Sequence, residues 1–406
     1  MSAEQQYIDF YREAAGVISQ RSLPVMNAAR EAAFQNFCAQ GFPSRKVERY
    51  KYSDVQADFA PNYGISLTPL QVADMPYCST LAQADERVAA FYGQVADGAD
   101  SVVALNTMLA VDTLVIHIPR NVRPQHPIQI SHLLRSNVDD VMVNRRLLIV
   151  AEEGAQGVIL LCEHTDGQSR TLSTQVTEIF VGEGANIQVN AVEETTEQHT
   201  ALDNVYVHQA AASHVSYNGV ILTCGQTRHR LDFRLDGKGA DMVARGVVVA
   251  DGQQRVDNSL VVDHVAPSCT SDMLYKYVLD GHSVGAFAGL VLVEKGAQKS
   301  LSQQTNANIC AAPTARAFSQ PMLEIYADDV KCNHGSTIGK LDESALFYMR
   351  QRGIPEREAR LILQQAFVGD VLRHIELERL RERLAHLVEM RFRGELSACA
   401  GCKMCR

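Results

Sequence analysis

The fold is decided by two short segments, Arg146-Leu147-Leu148-Ile149-Val150 and Gly157-Val158-Ile159-Leu160-Leu161. Both are runs of apolar and β-branched residues, which is the composition of buried strands. Runs of the same kind recur along the chain, at residues 113–118, 178–181, 186–189, 246–249, 260–262 and 290–293. Almost no long helical run separates them, whereas a βαβ architecture needs a helix in each crossover. The sequence therefore predicts an all-β core.

Gly-Ala pairs punctuate the same region, at Gly154-Ala155, Gly184-Ala185, Gly239-Ala240 and Gly296-Ala297. The intervals between their glycines are 30, 55 and 57 residues, close to one unit followed by two doubled units. A coiled stack of β rungs leaves this kind of imperfect repeat. A chain rich in Gly and Ala also produces such pairs by chance, so the spacing favours a β-solenoid without excluding a sandwich.

Helical periodicity marks both ends of the chain. Near the N-terminus, Tyr7, Phe10, Ala14 and Ile18 recur every three or four residues. After Asp342, a residue suited to cap a helix, the helical period returns. The predicted organisation is an N-terminal helical region (1–60), a mixed linker region (61–101), a β core (102–341), a C-terminal helical region (342–394) and a Cys-rich tail (395–406).

Two apolar stripes run along the C-terminal helical region. One follows Leu363, Phe367 and Val371 at intervals of four residues, and the other includes Leu380 and Leu384. Either both stripes pack on the β core of the same chain, or part of this apolar surface docks a partner protein. The sequence alone leaves both interpretations open.

The composition is that of an ordinary globular protein. The 406 residues are 46% hydrophobic and 21% charged, which excludes wholesale disorder. There are 38 Lys and Arg residues against 47 Asp and Glu, and the net charge of -9 argues against a nucleic-acid partner. The longest apolar stretch, 285–293, is about half of the ~20 residues that a membrane span needs, and residues 1–6 lack signal-peptide features. We expect a soluble, cytoplasmic protein.

The chain contains ten cysteines of two kinds. Six have no common spacing and are expected to be buried free thiols: Cys38, Cys78, Cys162, Cys224, Cys269 and Cys310. The tail instead spaces Cys399, Cys402 and Cys405 as C-x-x-C-x-x-C, which resembles part of a bacterial ferredoxin run without its fourth Cys and its Pro. A disordered, redox-labile tail and a metal-capturing tail both remain open.

Two matches to enzyme motifs fail on their context. Residues 281–285 match the G-x-S-x-G nucleophile elbow, but that elbow leads into a helix, whereas residues 286–293 are typical of a strand. Residues 335–340 resemble a phosphate loop, yet they have three residues between the glycines instead of four, and Leu341 follows the lysine. We therefore expect no enzyme and no standard nucleotide loop.

Cys332 and His334 form the most chemically suggestive pair. On an extended chain they share a face, and thiolate with imidazole suits zinc, ferrous iron or an iron–sulfur centre. Two ligands rarely hold a metal, so a partner would have to complete the site. Val330 has the same parity, however, so this face also fits the core, with Cys332 packed there.

The segment around this pair, 323–342, closely resembles the signature of the SufB/SufD family, and of its SufD branch in particular. The resemblance continues through residues 347–354. Near the other end, Glu48-Arg49-Tyr50-Lys51-Tyr52-Ser53 resembles the family's E-x-W-K/R-Y-T/S element, with Tyr50 where Trp is usual. The chain contains no Trp, so the packing of this element must differ from the family pattern.

The resemblance implies a mainly β fold, a right-handed parallel β-helix flanked by N- and C-terminal α-helical regions. It also implies a non-catalytic scaffold of the SUF iron–sulfur cluster assembly machinery. Such proteins pair with SufB through their β-helices and bind the ATPase SufC through the C-terminal helical region. A homodimer of the isolated chain remains open, as does a SufB/SufD-like identity.

For the site, the resemblance implies that His334 corresponds to the histidine of the family's K-C-x-H-G motif. That histidine lies at the SufB interface and faces a SufB cysteine. His334, with Cys332 as the second candidate, is thus expected to bind iron of a transient iron–sulfur cluster, and the isolated chain to hold none stably. Two alternatives stay open: a β-helix carbohydrate-active enzyme, which needs clustered acidic residues or an arginine base in a cleft, and a stand-alone metal-binding protein.

Overall fold

A computed structural model describes residues 3–70, 72 and 75–395 of the chain, and the body it describes is built on eighteen strands. The strands are β1 (Gly64–Ile65), β2 (Cys78–Thr80), β3 (Leu114–Ile118), β4 (Ile128–Arg135), β5 (Val141–Ala151), β6 (Gln156–Asp166), β7 (Thr171–Val181), β8 (Asn186–Glu194), β9 (His199–Gln209), β10 (His214–Thr223), β11 (Gln226–Leu235), β12 (Asp241–Ala250), β13 (Arg255–His264), β14 (Thr270–Leu279), β15 (Val284–Val293), β16 (Leu301–Cys310), β17 (Arg316–Ile325) and β18 (Lys331–Gly339).

Helices precede and follow the strands. They are α1 (Ala3–Gln20), α2 (Pro24–Gln40), α3 (Val55–Asp58), α4 (Glu86–Ala89), α5 (Ser101–Leu109), α6 (Glu343–Gln351), α7 (Glu356–Leu372) and α8 (Glu378–Arg393), with short 3-10 turns at Glu48–Tyr50 and Leu81–Gln83. The predicted cap is present, because the Asp342 side chain accepts hydrogen bonds from the first backbone amides of α6. None of the helices in the described ranges is long and apolar enough to cross a membrane.

The strands coil into a parallel β-solenoid of two facing sheets. From β3 onward, odd-numbered strands pair in one sheet in the order β17-β15-β13-β11-β9-β7-β5-β3, and even-numbered strands pair in the other, from β18 to β4. The short β2 adds to β3 in antiparallel direction, and β1 pairs with β5. Each pair of successive strands therefore makes one turn of the solenoid, and the predicted mainly β, parallel β-helix between helical regions is confirmed.

One corner of every turn needs a residue in the left-handed region. Glycine fills it at Gly154, Gly184 and Gly239, and other residues fill it at Ala212, Ser268 and Lys299, so that successive positions are 30, 28, 27, 29 and 31 residues apart. Each of these residues donates its backbone N–H to a carbonyl one turn further on, as Gly154 does to Glu183. The following residue is small and buried in each case: Ala155, Ala185, Ser213, Ala240, Cys269 and Ser300.

The Gly-Ala repeat therefore does mark a corner of the solenoid, although one of its four pairs does not occupy the left-handed position. Gly296-Ala297 belongs to the same corner, but the position equivalent to Gly239 is Lys299, three residues later. Gly296 itself lies outside the left-handed region. The spacing predicted the length of a turn correctly because the corner recurs once per turn. It missed half of the corners because alanine, serine and lysine also occupy the left-handed position.

Three apolar layers hold the molecule together. The lumen between the two sheets is filled by residues such as Ile149, Ile187 and Val262. The first five helices cover the outer face of the odd-numbered sheet, and α7 with α8 covers the outer face of the even-numbered sheet. Since the side chains of Leu380 and Leu384 are buried there, the interpretation of internal packing is confirmed for most of the second C-terminal stripe.

The seven cysteines in the described ranges are all free. Cys224 and Cys269 are buried as expected, and Cys78, Cys162 and Cys310 are half-buried. The expectation was wrong for Cys38, which is exposed because it lies on the solvent side of α2. The tail thiols Cys399, Cys402 and Cys405 lie outside the described residues.

Candidate functional site

Cys332 and His334 lie on β18, the last strand of the even-numbered sheet. Their ladder partners on β16 are Ser302 and Gln304, both of which are buried inside the solenoid. Register partners on parallel strands project from the same face of a sheet. The structure therefore places Cys332 and His334 together on the inner face, at the mouth of the lumen.

Cys332 is the inner member of the pair. It is half-buried and, like Val330, packs against the apolar lumen. Burial raises the pKa of its thiol, and a backbone hydrogen bond with Ser302 offsets part of this effect. Because metals bind the thiolate, a raised pKa makes this sulfur a poorer ligand. The packing interpretation thus has structural support, and the ligand role stays a prediction.

His334 is the outer member. Its side chain is exposed, and its imidazole makes no hydrogen bond with any residue that the structure describes. Both ring nitrogens are therefore accessible from outside the chain. An imidazole with a free nitrogen can bind iron or transfer a proton near neutral pH.

The mouth exists because the solenoid is open at this end. Within the described ranges, β17 and β18 each pair with a strand on one side only, so their other edges present unpaired backbone N–H and C=O groups. The Ser336 hydroxyl donates to the Ser319 hydroxyl at 2.7 Å and joins the two edge strands across the lumen. Large apolar side chains are exposed around this end: Leu301, Phe318, Ile325, Tyr326 and Ile338.

The layer beneath the mouth is unusually polar. Instead of apolar residues, β16 directs Ser302, Gln304, Asn306 and Asn308 inward, and all four are buried. Asn308 donates to the Asn306 side chain at 2.7 Å and to the Thr337 carbonyl at 3.0 Å. This layer was not predicted, because residues 302–306 are polar throughout and show no alternation that would reveal a strand.

The N-terminal motif reaches the same end from outside. The Gln320 side chain of β17 donates to Glu48 at 2.6 Å and accepts from the Tyr52 hydroxyl at 3.2 Å. The Tyr52 ring stacks on Phe318 at a centroid distance of 5.1 Å. The N-terminal segment of the family resemblance therefore contacts β17, the strand in which the other segment, 323–342, begins.

Tyr50 links the N-terminal motif to the start of α5 and to the odd-numbered sheet. Its hydroxyl donates to the Asp100 carboxylate at 2.6 Å, and the Arg228 guanidinium lies over its ring at 4.0 Å. The ring is buried against the odd-numbered sheet. The phenol hydroxyl thus links this element to Asp100 at the start of α5, and the expectation that its packing differs from the family pattern stays a prediction.

The C-terminal helices leave a second apolar surface uncovered. Phe347 and Tyr348 of α6 and Ile362 of α7 are exposed although much of the remaining stripe is buried. A groove of about 420 Å³ lies beside them, between β18 and α7, and is lined by Ile338 and Phe367 among others. Part of the C-terminal surface is therefore free to dock a partner.

The rejected motifs have structural roles instead. Ser283 of the elbow-like segment is buried at a corner, where its hydroxyl donates to the Ala250 carbonyl at 3.2 Å, and a strand follows it. The phosphate-loop-like segment 335–340 lies largely in β18 and forms no loop. In the described part of the chain, no three His, Cys, Asp or Glu residues are grouped so that they would hold a metal ion.

Comparison with known families gives a consistent result along most of the chain. Residues 134–367 match the family model described as the SufBD core domain of SUF-system iron–sulfur cluster assembly. Residues 1–79 and 77–130 match the model of the SufBD N-terminal region. The core match begins in β4 and ends in α7, so it includes the solenoid mouth.

Individual relatives agree with the family models. The chain is 24% identical over 401 residues to the iron–sulfur cluster assembly protein SufD of Escherichia coli, covering 89% of this chain and 92% of that protein. It is 29% identical over 331 residues to a SufBD family protein of Synechocystis, covering 80% and 73%. It is 23% identical over 293 residues to SufD of Bacillus subtilis, covering 71% and 66%.

Proposed function

Because the chain belongs to the SufB/SufD family of SUF iron–sulfur cluster assembly proteins and is SufD-like, we propose that it is a non-catalytic scaffold subunit that pairs with SufB and binds the SufC ATPase. The family match favours this function over the carbohydrate-active enzyme and the storage protein. Cytoplasmic assembly remains the expectation from sequence.

The observation that carries the proposal is the open solenoid end with His334 at its mouth. The unpaired edges of β17 and β18 suit a second solenoid, which would continue both ladders by strand addition. The exposed apolar ring, including Phe318 and Ile338, suits burial in such a contact. A second copy of this chain is the other partner that the same edges would fit when SufB is absent.

The nascent cluster is cargo in this proposal, and His334 supplies one nitrogen ligand to it. A single imidazole holds a cluster weakly, so the remaining ligands come from SufB across the contact. This division suits a scaffold, because separation of the two chains leaves neither with a complete ligand set. The SufC dock is assigned to the exposed surface around Phe347 and Tyr348, since this is the uncovered part of the C-terminal helices.

The test is cluster formation in complexes reconstituted with SufB and SufC, followed by visible absorbance and iron content. His334→Ala is expected to lower the cluster yield about tenfold or more, the usual scale for disturbing a metal site. Complex formation should be unchanged, because the exposed imidazole of His334 makes no hydrogen bond with any other described residue of the chain. Cys332→Ala should have a milder effect if that thiol only packs.

The matched control is His126→Ala, which removes an exposed imidazole just before β4, at the opposite end of the solenoid from the mouth. This variant should retain the wild-type yield. A fully active His334→Ala complex would falsify the ligand assignment. A complex that fails to form would instead make His334 a structural contact.

A further inference from the structure

Gln304 occupies the position directly beneath His334. The two residues are ladder partners on β16 and β18, and adjacent strands lie about 4.8 Å apart. The side chain of Gln304 is 0% exposed. Gln304 is therefore the fully buried neighbour of His334 on the ladder, one strand further into the solenoid.

Its amide has no partner. Neither Oε1 nor Nε2 of Gln304 makes a hydrogen bond with any described residue, whereas the amide nitrogens of the neighbouring Asn306 and Asn308 do. A buried polar group without a partner destabilises the folded state, because it loses its hydrogen bonds to water and gains none in return. One ladder position deeper, Met273 fills the equivalent site with an apolar side chain of similar length, so packing alone does not require an amide.

The facing strand makes room for this side chain. Gly289 of β15 lies opposite, and a Cβ placed on it would come within 1.6 Å of Nε2 of Gln304. Any larger residue at position 289 would displace the amide. The lumen is thus shaped on both sheets to accommodate a side chain that makes no hydrogen bond with any residue in the described ranges.

We propose that Gln304 is a positioning residue for His334 during cluster assembly. When one ring nitrogen of His334 binds iron, the other carries a proton and needs an acceptor, and metal-bound histidines almost always have one. Oε1 of Gln304 supplies it from the adjacent ladder position, fixing the tautomer and the ring orientation. This inference rests on the ligand role proposed for His334.

The test compares Gln304→Met with wild type in the reconstituted complex. Methionine fills the volume without an amide, so the isolated variant should melt at the same temperature or higher, while cluster yield falls about tenfold. Gln303→Met on the exposed side of β16 is the matched control and should keep the wild-type yield. Gln304→Glu, which retains the acceptor, should recover much of the yield.

Several results would overturn the inference. A Gln304→Met complex with wild-type yield would show that no acceptor is needed, and a lowered melting temperature with loss of the complex would make Gln304 structural. The double variant Gln304→Met/His334→Ala should be no worse than His334→Ala alone, because the two residues act as a unit. Additive losses would therefore also contradict it. If His334→Ala itself retained full yield, the proposed function would fail, whereas normal yield in Gln304→Met alone removes only this inference.

Discussion

At the scale of single residues, Asp58 links the N-terminal region to pH. It is buried at the end of α3, beside a cavity of about 260 Å³, and its Oδ1 atom has no partner among the described residues. Burial, reinforced by the nearby Asp54 carboxylate, raises the pKa of Asp58 to about 7, although Arg255 and Arg45 oppose the shift. The folded state therefore holds this proton more tightly than the unfolded chain, whose pKa is about 3.9.

We predict that Asp58→Asn stabilises the protein increasingly as the pH rises from about 4 to 7. Below this range Asp58 is protonated in both the folded and the unfolded state. Above it, ionisation of Asp58 lowers the free energy of unfolding of the wild type by up to about 4 kcal/mol, and the asparagine variant avoids this loss. Urea midpoints at pH 4.5 and pH 8 would measure the difference. Asp139→Asn, at an exposed site, should show no such trend, and equal midpoint shifts of Asp58→Asn at both pH values would refute the prediction.

Residue-level prediction from sequence succeeded where the information is local. Strand parity placed Cys332 and His334 on one face, because alternation depends only on the backbone of that strand. It could not say which of the two is exposed, since that depends on β18 being the last strand of its sheet. Gln304 was not foreseen at all, because its significance comes from partners on β15 and β18 that are remote in sequence.

At the scale of elements, the solenoid corners depend on backbone conformation. Gly239 has a φ of 71°, and a Cβ there would touch nothing within 4 Å, so the cost of a side chain is conformational only. Gly296, from the corner two turns later, has no positive φ and also has space for a Cβ, the nearest atom being 3.9 Å away. The two glycines form a matched pair.

Gly239→Ala is expected to lower the free energy of unfolding by about 1 kcal/mol. Alanine is strained in the left-handed region, and part of this cost is offset because alanine also makes the unfolded chain less flexible. Gly296→Ala should be neutral or slightly stabilising. Chemical denaturation of both variants would measure these changes. Equal destabilisation by the two substitutions would show that the corner position has been assigned wrongly.

The C-terminal helices bury apolar residues against the even-numbered sheet and leave Phe347 and Tyr348 exposed. Removing α7 and α8 would uncover Val220 and Val247 on the even-numbered sheet, so truncation cannot separate docking from folding. We predict that Phe347→Ser with Tyr348→Ser weakens SufC binding by about 2 kcal/mol, or ~30-fold, without changing the melting temperature. Calorimetric titration measures this, with Leu133→Ser, exposed on β4, as the control. Unaltered affinity would place the SufC dock elsewhere.

Strands could be predicted from the sequence only where their apolar content is high. The strands recognised from sequence, such as β5, β6 and β12, are rich in β-branched residues, which signal burial by themselves. The polar strand β16 was missed because its inward side chains are polar and carry no apolar alternation; Asn306, for example, donates to the Tyr275 carbonyl, and Ser302 accepts from Ser271. Arg145 and Glu163, an ion pair at 2.5 Å, are largely buried in the same lumen and give no apolar signal either.

At the scale of the whole molecule, stability should vary along the solenoid axis. Each turn pairs its strands only with those of the neighbouring turns, so among the described residues the last turn, with β17 and β18, has ladder partners on one side only. We predict that backbone amides of β18 exchange with deuterium about tenfold or more faster than those of the central β12 in the isolated chain. Adding SufB should slow exchange in β17 and β18 but not in β4 at the opposite end, as read by peptide-level mass spectrometry. Protection confined to β4 would place the SufB contact at the opposite end of the solenoid and would contradict the proposed function.

The unlike ends of the solenoid also limit how many molecules can be joined. At the start of the odd-numbered sheet, β2 runs antiparallel to β3, so a parallel ladder cannot be extended there, whereas β17 and β18 can be extended together. Head-to-tail stacking needs two complementary ends and then repeats without limit into a filament. Among the described residues, β4 also keeps one free edge, so the first-turn end offers a single parallel strand for pairing, whereas the last-turn end offers two. Under the pairing proposed above, we expect a particle of fixed stoichiometry instead of a filament of indefinite length.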